Sequence, residues 1–181
     1  MSEDLHELSV TCHIAAPRAT CWTVWRDRKG EWFCPNPWRA EVIEEDMRPG
    51  GRSAMRMFGP DGADSGPMEG VFLEVVADER IVTTDAYAVG WVPQTPFLTA
   101  IWSFAPEGEG TRFTATARHW DAEAKARHLE MGFHPGWDAM MAQFKALCEA
   151  VDGDAALTAR KGSRARIMAT RSISGSIMVA G

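Results

Sequence analysis

One stretch near the C-terminus constrains the fold of this sequence more than any other. Apolar side chains recur there at every third or fourth position, at Trp137, Met140, Met141, Phe144, Leu147, Cys148 and Val151. This spacing predicts an amphipathic helix over 136–151, with these side chains along one face. Gly132 and Pro135 precede it and are typical of the end of one helix and the start of the next. An apolar face of this length needs another element to pack against.

The segments before the helix are predicted to supply that element as an antiparallel sheet. Alternating or continuous apolar residues predict strands at 5–14, 39–46, 52–58, 68–76, 80–88, 97–105 and 111–119. A short helix is predicted from Pro17 to Trp25, and the aromatic-rich segment 26–37 is predicted to cover one end of the sheet as a lid or a second short helix. Because strands and helices do not alternate, the pattern predicts an α+β fold, with about seven antiparallel strands wrapped around one long helix.

Composition narrows the class of protein. A chain of 181 residues, 45% of them hydrophobic, suits one domain with a substantial core. The net charge of −6 gives no electrostatic reason to expect nucleic acid or an anionic membrane as a partner. No apolar run approaches the roughly 20 residues that a membrane span needs, and the acidic start is unlike a signal peptide, so we expect a cytoplasmic protein. A homodimer is left open.

The four cysteines and five histidines are weak candidates for metal binding. Cys12, Cys21, Cys34 and Cys148 are too scattered for a zinc site, and we expect them to be reduced and mostly buried. His119, His128 and His134 lie among acidic residues between 119 and 134, but without the spacing of a known metal motif. We therefore expect neither a metal nor a cofactor.

An unusual content of large, adaptable apolar residues points to a ligand site. The chain holds eight Trp and ten Met but one Tyr, and such side chains form either a dense core or a pocket for apolar molecules. Strand parity and the helical stripe direct one set of them toward the space between sheet and helix. The predicted ligand-binding residues are Trp32, Met55, Met57, Phe72, Trp102, Phe104, Phe113, His119, Trp137 and Met141.

His119 is the candidate catalytic residue within this set. Its parity on the last predicted strand places it on the same face as Phe113, where a histidine could exchange a proton with a ligand. Asp46 and Glu74 are the candidate acid–base partners. A purely structural histidine is the alternative interpretation, and no nucleophile stands in a recognisable motif.

The order of short motifs along the chain resembles a known family. These motifs are Ala16-Pro17, Trp22 and Trp25, Trp32-Phe33, the turn 46–51, Pro60-Asp61-Gly62, the segment 70–75, Gly110-Thr111-Arg112 and the segment 131–137. Together they resemble the START-like SRPBCC superfamily and, more narrowly, the polyketide cyclase-like family of homologues of the heat-shock chaperone ATPase activator. The resemblance implies a helix-grip fold, in which a curved sheet encloses an apolar cavity against the long helix.

The resemblance leaves three functions open, since this fold supports several activities. The first is binding of a small or medium hydrophobic molecule in the internal cavity. The second is an enzyme of cyclase or dehydratase type that uses His119 on a hydrophobic substrate. The third is a module that interacts with a chaperone.

The predicted domain covers residues 1–151, and a different composition follows it. Residues 152–181 are rich in Ser, Gly and Ala, contain no aromatic residue and carry an excess of basic over acidic side chains. Such a composition predicts a flexible basic tail. The alternative is that 164–179 docks on the acidic domain or on a partner.

Overall fold

The computed structural model describes residues 5–173 and contains nine strands and four α-helices in that range. The strands are β1 (Glu7–Ile14), β2 (Arg39–Glu45), β3 (Arg52–Phe58), β4 (Asp64–Val76), β5 (Arg80–Thr84), β6 (Tyr87–Ala88), β7 (Val92–Pro93), β8 (Leu98–Glu107) and β9 (Gly110–His119). The helices are α1 (Arg18–Asp27), α2 (Lys29–Trp32), α3 (Ala122–Glu130) and α4 (Phe133–Ile173).

Seven of the strands form one antiparallel sheet, in the order β1-β9-β8-β5-β4-β3-β2. The chain enters at one edge with β1 and crosses to the other edge with β2, from which consecutive hairpins lead back to β9. Pairing is regular from β5 through β8 and β9 to β1, whereas the register shifts between Val42 and Glu44, between Arg56 and Phe58, and between Phe72 and Glu74. The α+β class with about seven antiparallel strands is confirmed.

Two positions in the fold require glycine, one because of close packing and one because of its backbone conformation. Gly70 on β4 passes so near β5 that a Cβ atom there would lie 2.1 Å from the carbonyl oxygen of Thr84. Gly132 between α3 and α4 has a φ of +91°, a left-handed conformation that costs glycine little. It allows α3 to end and α4 to begin within three residues, as the sequence predicts.

Helix α4 is longer than the apolar stripe predicts. It begins at Phe133, with Pro135 in its first turn where no backbone N–H is needed, and it continues to Ile173 instead of ending at Val151. The stripe itself lies on the sheet as expected, since Met140, Met141, Phe144 and Cys148 are buried. The predicted boundary of the domain at 151 and the flexibility of the tail stay predictions, and part of the docking segment 164–179 lies outside the described residues.

The core fills the space between the sheet and helices α1, α2 and α4. Strand β8 contributes Ala100, Trp102 and Phe104, and β9 contributes Phe113, Ala115 and Ala117, in the alternation that the sequence predicts. Helix α1 adds Cys21, Trp22, Val24 and Trp25. The opposite face of β1 and β9 is polar, where Ser9 pairs with Thr116 at 2.8 Å and Thr11 with Thr114 at 3.0 Å.

The lid segment, residues 26–37, is tied to α4 by one side chain. Nε2 of Gln143 donates to the carbonyl oxygens of Trp32 at 3.0 Å and Cys34 at 2.7 Å, and its Oε1 accepts from the backbone N–H of Asn36 at 3.2 Å.

Among the residues that the structure describes, no helix is long and apolar enough to cross a membrane.

Candidate ligand site between the sheet and the helices

Seven of the predicted ligand-binding residues share one cluster, and the other three lie outside it. These seven belong to the main hydrophobic core and are Trp32, Phe72, Trp102, Phe104, Phe113, Met141 and the half-buried Trp137. Met55 is buried and Met57 half-buried on β3, but neither belongs to that core cluster. His119 is buried at the end of β9 and contacts α3 through His128. The structure thus brings seven of the ten predicted residues into one cluster.

Trp102 lies at the centre of the aromatic cluster. The ring of Trp137 stacks on it in nearly parallel planes at 5.8 Å between centroids, and Trp25, Trp32, Phe33 and Phe113 surround it at 5.9–6.2 Å. Trp32 also contacts Phe144 of α4 at 4.7 Å. The interior is thus filled by rings in contact with one another.

Two polar groups inside this aromatic cluster are unpaired. The indole N–H groups of Trp25 and Trp32 are fully buried and have no hydrogen-bond partner in the part of the chain that the structure describes. Leaving a buried donor unsatisfied costs about 1–3 kcal/mol. The two rings are 6.4 Å apart, so both N–H groups belong to the same region of the interior.

A buried ion pair lies beside these tryptophans. Nζ of Lys29 donates to Oε1 of Glu45 at 2.7 Å, and the two side chains are 6% and 10% exposed. The Lys29 ammonium also lies 4.8 Å from the centre of the Trp25 ring. Burial lowers the pKa of Lys29, while the charge of Glu45 opposes this effect. The second carboxylate oxygen of Glu45 is buried without a partner among the described residues.

The histidines at the other end of the cluster form an ordered pair. Nδ1 of His119 lies 2.9 Å from the carbonyl oxygen of His6 and must donate to it, because a carbonyl only accepts. Nε2 of a neutral His119 then accepts from Nδ1–H of His128 at 2.8 Å. Both nitrogens of His119 are therefore engaged, and Nε2 of His128 is left as an acceptor. Burial, assisted by His119, lowers the pKa of His128 to about 4.

The carboxylates considered as partners of His119 are engaged elsewhere. Asp46 forms an ion pair with Arg48 at 2.8 Å, and Glu74 forms one with Arg80.

The three buried cysteines and the half-buried Cys12 are free thiols. No group of three or more His, Cys, Asp or Glu side chains in the described range is placed to hold a metal ion.

An open surface depression coincides with the predicted set at one residue only, Phe104. Its lining consists of Arg18, Glu79, Arg80, Ser103, Phe104, Ala105 and Pro106. The charged side chains of this lining make it unlike the apolar space predicted from the sequence. We therefore place the candidate site at the aromatic cluster and its two polar ends.

Sequence reasoning missed Lys29, Glu45 and the role of Gln143. Lys29 follows Trp25 by four positions and precedes Trp32 by three, a spacing that could have placed it on their helical face. Glu45 pairs with Ser53 in the register of β2 and β3, and Ser53 shares its parity with Met55. The register shift after Val42 hides this relation in the sequence of β2 alone.

Comparison with solved structures supports the fold. A protein from Nitrosomonas europaea is 32% identical, with a TM-score of 0.75, over 84% of this chain and 99% of that one. A protein from Mycobacterium smegmatis is 29% identical, with a TM-score of 0.68, over 80% and 91%. An AHSA1-like protein from Aeromonas hydrophila shares the fold at 22% identity and a TM-score of 0.58, over 80% of this chain and 93% of that chain.

Comparison with protein families gives the affiliation of the chain. A search of functionally curated proteins gave no match. The model of the family described as activator of Hsp90 ATPase homolog 1-like protein matches residues 15–149, a range that contains α1 to β9, α3 and the apolar stripe of α4 as far as Cys148. The resemblance seen in the sequence is confirmed, and the chain belongs to the activator of Hsp90 ATPase homolog 1-like family.

Proposed function

We propose that this protein binds a small or medium hydrophobic molecule between its sheet and helices α1, α2 and α4. The observation that carries the proposal is the pair of buried, unpartnered indole N–H groups of Trp25 and Trp32. A core with a purely structural role gains nothing from burying such donors, because each unsatisfied donor lowers stability. A bound molecule with an acceptor atom would satisfy them and would replace the ring contacts that it displaces.

Trp137 and Phe33 are the rings whose movement would admit the molecule. Both are half-buried, whereas Trp102 beneath them is buried. Trp137 stands in the first turns of α4, and Phe33 in the lid segment. Displacing Trp137 would uncover the face of Trp102, and displacing Phe33 would remove a tilted ring beside it. Neither movement involves the contact between Phe113 and Phe144, whose centroids are 4.4 Å apart.

The test uses N-phenyl-1-naphthylamine, a neutral apolar molecule whose fluorescence rises on leaving water. We expect saturable binding to the wild-type protein, weakened about tenfold or more in Trp137→Leu because an aromatic contact is lost. Trp120→Leu is the matched control, since Trp120 is 67% exposed. No saturable binding, or equal affinity for all three proteins, would contradict the proposal. Independently, native mass spectrometry of protein purified from its own host would identify a retained molecule by its mass.

An enzyme of cyclase or dehydratase type is a second candidate, favoured by the histidine pair. Nε2 of His128 is the acceptor that the pair leaves unused, and the ring of His128 lies 5.7 Å from that of Trp137 at the edge of the aromatic cluster. The sequence predicts His119 as the acid–base residue, but both of its ring nitrogens are engaged, so in this candidate the role passes to His128 and His119 holds His128 in the tautomer that accepts a proton. Turnover of a bound hydrophobic substrate that is lost in His128→Gln, with affinity retained, would support it.

A chaperone-interacting module is the third candidate, favoured by the family description and by an exposed apolar hairpin. Tyr87, Val89, Trp91 and Val92 on and between β6 and β7 are 38–58% exposed. Stimulation of the ATPase activity of an Hsp90-type chaperone, reduced by Trp91→Ser, would support this function. A homodimer stays a prediction.

A further inference from the structure

The buried pair of Lys29 and Glu45 has more hydrogen-bonding capacity than the protein uses. An ammonium group has three donors, and the Lys29 group makes one hydrogen bond within the described residues, to Oε1 of Glu45. Ser53 donates to that same oxygen at 3.0 Å, so both contacts of the carboxylate fall on one atom. Its other oxygen, Oε2, is buried and unpartnered in the described part of the chain. A buried ion pair of this kind is stable only when its remaining polar atoms are satisfied.

The unused atoms adjoin the aromatic cluster. The Lys29 ammonium lies 4.8 Å from the centre of the Trp25 ring and 5.4 Å from that of Phe33. The N–H of Trp25 is itself unpartnered among the described residues. Donors from Lys29 and Trp25 and an acceptor from Glu45 thus lie at the end of the cluster where the lid segment meets β2 and β3.

The charge of the pair selects the chemistry of what it binds. Because Lys29 and Glu45 compensate each other, a charged ligand group would gain little net attraction from the pair to offset the loss of its hydration. A hydroxyl group is neutral, donates one hydrogen bond and accepts two. It matches an unpartnered carboxylate oxygen beside two kinds of unpartnered donor.

We propose that Lys29 and Glu45 recognise a neutral hydroxyl group at one end of an apolar ligand whose body occupies the aromatic cluster. The hydroxyl donates to Oε2 of Glu45 and accepts from Lys29 or from the indole N–H of Trp25. This inference rests on the proposed binding function and names the class of ligand as an apolar alcohol or phenol.

The test compares three probes with the same apolar body. 2-Naphthol donates and accepts, 2-methoxynaphthalene only accepts, and 2-methylnaphthalene does neither. We expect 2-naphthol to bind the wild-type protein about tenfold more tightly than 2-methylnaphthalene, because a hydrogen bond to a charged group is the stronger kind. 2-Methoxynaphthalene should lie between the two, because it can accept from Lys29 but leaves Oε2 of Glu45 without a donor. Dissociation constants are measured by quenching of tryptophan fluorescence.

The double variant Lys29→Met/Glu45→Leu removes both charges together and fills their volume, a change that buried ion pairs often tolerate. It should bind 2-methylnaphthalene as the wild type does and lose the preference for 2-naphthol. Glu7→Leu/Arg118→Met, which removes the exposed pair between β1 and β9, is the matched control and should keep the preference. If the double variant does not fold, Glu45→Gln provides the same reading and should reduce the preference at least about threefold.

The outcomes separate the two proposals. Equal binding of all three probes by the wild type would overturn the hydroxyl assignment and leave the binding function standing. A preference for 2-naphthol that persists in the double variant, or in Glu45→Gln where only that variant folds, would overturn the assignment to this pair. No binding of any probe would overturn the proposed function and this inference with it.

Discussion

The polar residues inside the apolar interior differ in how well they are satisfied. Both ring nitrogens of His119 form hydrogen bonds, and His128 donates its Nδ1–H to one of them. Glu45 and Trp25, by contrast, each retain a buried polar atom without a partner in the described residues. A satisfied network stabilises the fold, whereas an unsatisfied one lowers stability and indicates a role beyond stability. The histidine pair is therefore tested by measurements of stability, and the end of the cluster that holds Glu45 and Trp25 by measurements of binding.

The histidine pair predicts how stability depends on pH. His128 has a pKa of about 4 in the folded protein and an ordinary value of 6.5. Between these values the unfolded chain binds a proton that the folded protein does not. The free energy of unfolding should therefore be highest above pH 6.5 and fall between pH 6.5 and pH 4, by at most about 3 kcal/mol from this residue. Urea unfolding at several pH values measures this.

A titration-free variant isolates the contribution of His128. Asn at this position keeps an amide donor for His119 but cannot be protonated in this range, so His128→Asn should flatten the pH dependence between 4 and 6.5. His13→Asn, at an exposed position on β1, is the matched control. Parallel curves for the wild type and His128→Asn would show that His128 does not remain neutral through this interval.

At the scale of single residues, alternation predicted the interior of the regular strands well. Phe104, Phe113 and Trp102 are buried on the predicted face because β8 and β9 pair without a register shift. Met57 is only half-buried on β3, where the register with β4 shifts after Arg56. Lys29 could not be assigned to the interior from its type, because a lysine is rarely buried unless a partner compensates its charge, and that partner lies 16 residues away.

At the scale of elements, one glutamine on α4 binds the lid segment through three hydrogen bonds. The three hydrogen bonds of Gln143 reach Trp32, Cys34 and Asn36, which carry the lid from α2 toward β2. This side chain therefore links α4, whose apolar stripe the sequence predicts, to the lid segment, for which the sequence predicts no regular strand. Its position within the stripe gave no signal, because a polar residue between Met140 and Phe144 fits equally well on the solvent face of the helix.

Removing these bonds should loosen the lid segment selectively. Gln143→Met keeps the length of the side chain but leaves two backbone carbonyls and one backbone N–H without this partner. The free energy of unfolding should fall by about 1–3 kcal/mol, and the amide of Asn36 should exchange its hydrogen faster. Lys145→Met, two positions further along α4, is the control for placing a methionine on this helix. Unchanged exchange at Asn36 would show that other contacts hold the lid.

The end of α4 shows what hydrophobic periodicity can and cannot predict. The stripe ends at Val151 because the positions after it have no core to face, and the residues from Gly153 to Ala159 are all exposed. The helix nevertheless continues to Ile173. Periodicity reports which face of a helix is buried, so it locates the packed part of α4 and not the end of its hydrogen-bonded backbone.

At the scale of the whole molecule, one core lies between the sheet and helices α1, α2 and α4, and residues 153–159 of α4 are exposed beyond it. Val151 is half-buried against the core, and Asp152 accepts a hydrogen bond from Thr20 at 3.4 Å. The family match ends at residue 149. Both observations agree with the predicted domain boundary at 151, which stays a prediction.

A chain that ends at Gly153 should therefore fold like the full protein. We expect its midpoint of thermal unfolding to change by less than about 3 °C, because no described side chain beyond that point is buried. Its circular dichroism should lose the helical signal of residues 154–173. A chain that ends at Ala146 is the matched control and should not unfold cooperatively, since it lacks Leu147 and the buried Cys148. If the chain that ends at Gly153 unfolds 10 °C or more below the full protein, residues 154–181 stabilise the full protein by packing on the domain or on a second molecule. A difference in unfolding temperature that grows with protein concentration would indicate the second molecule.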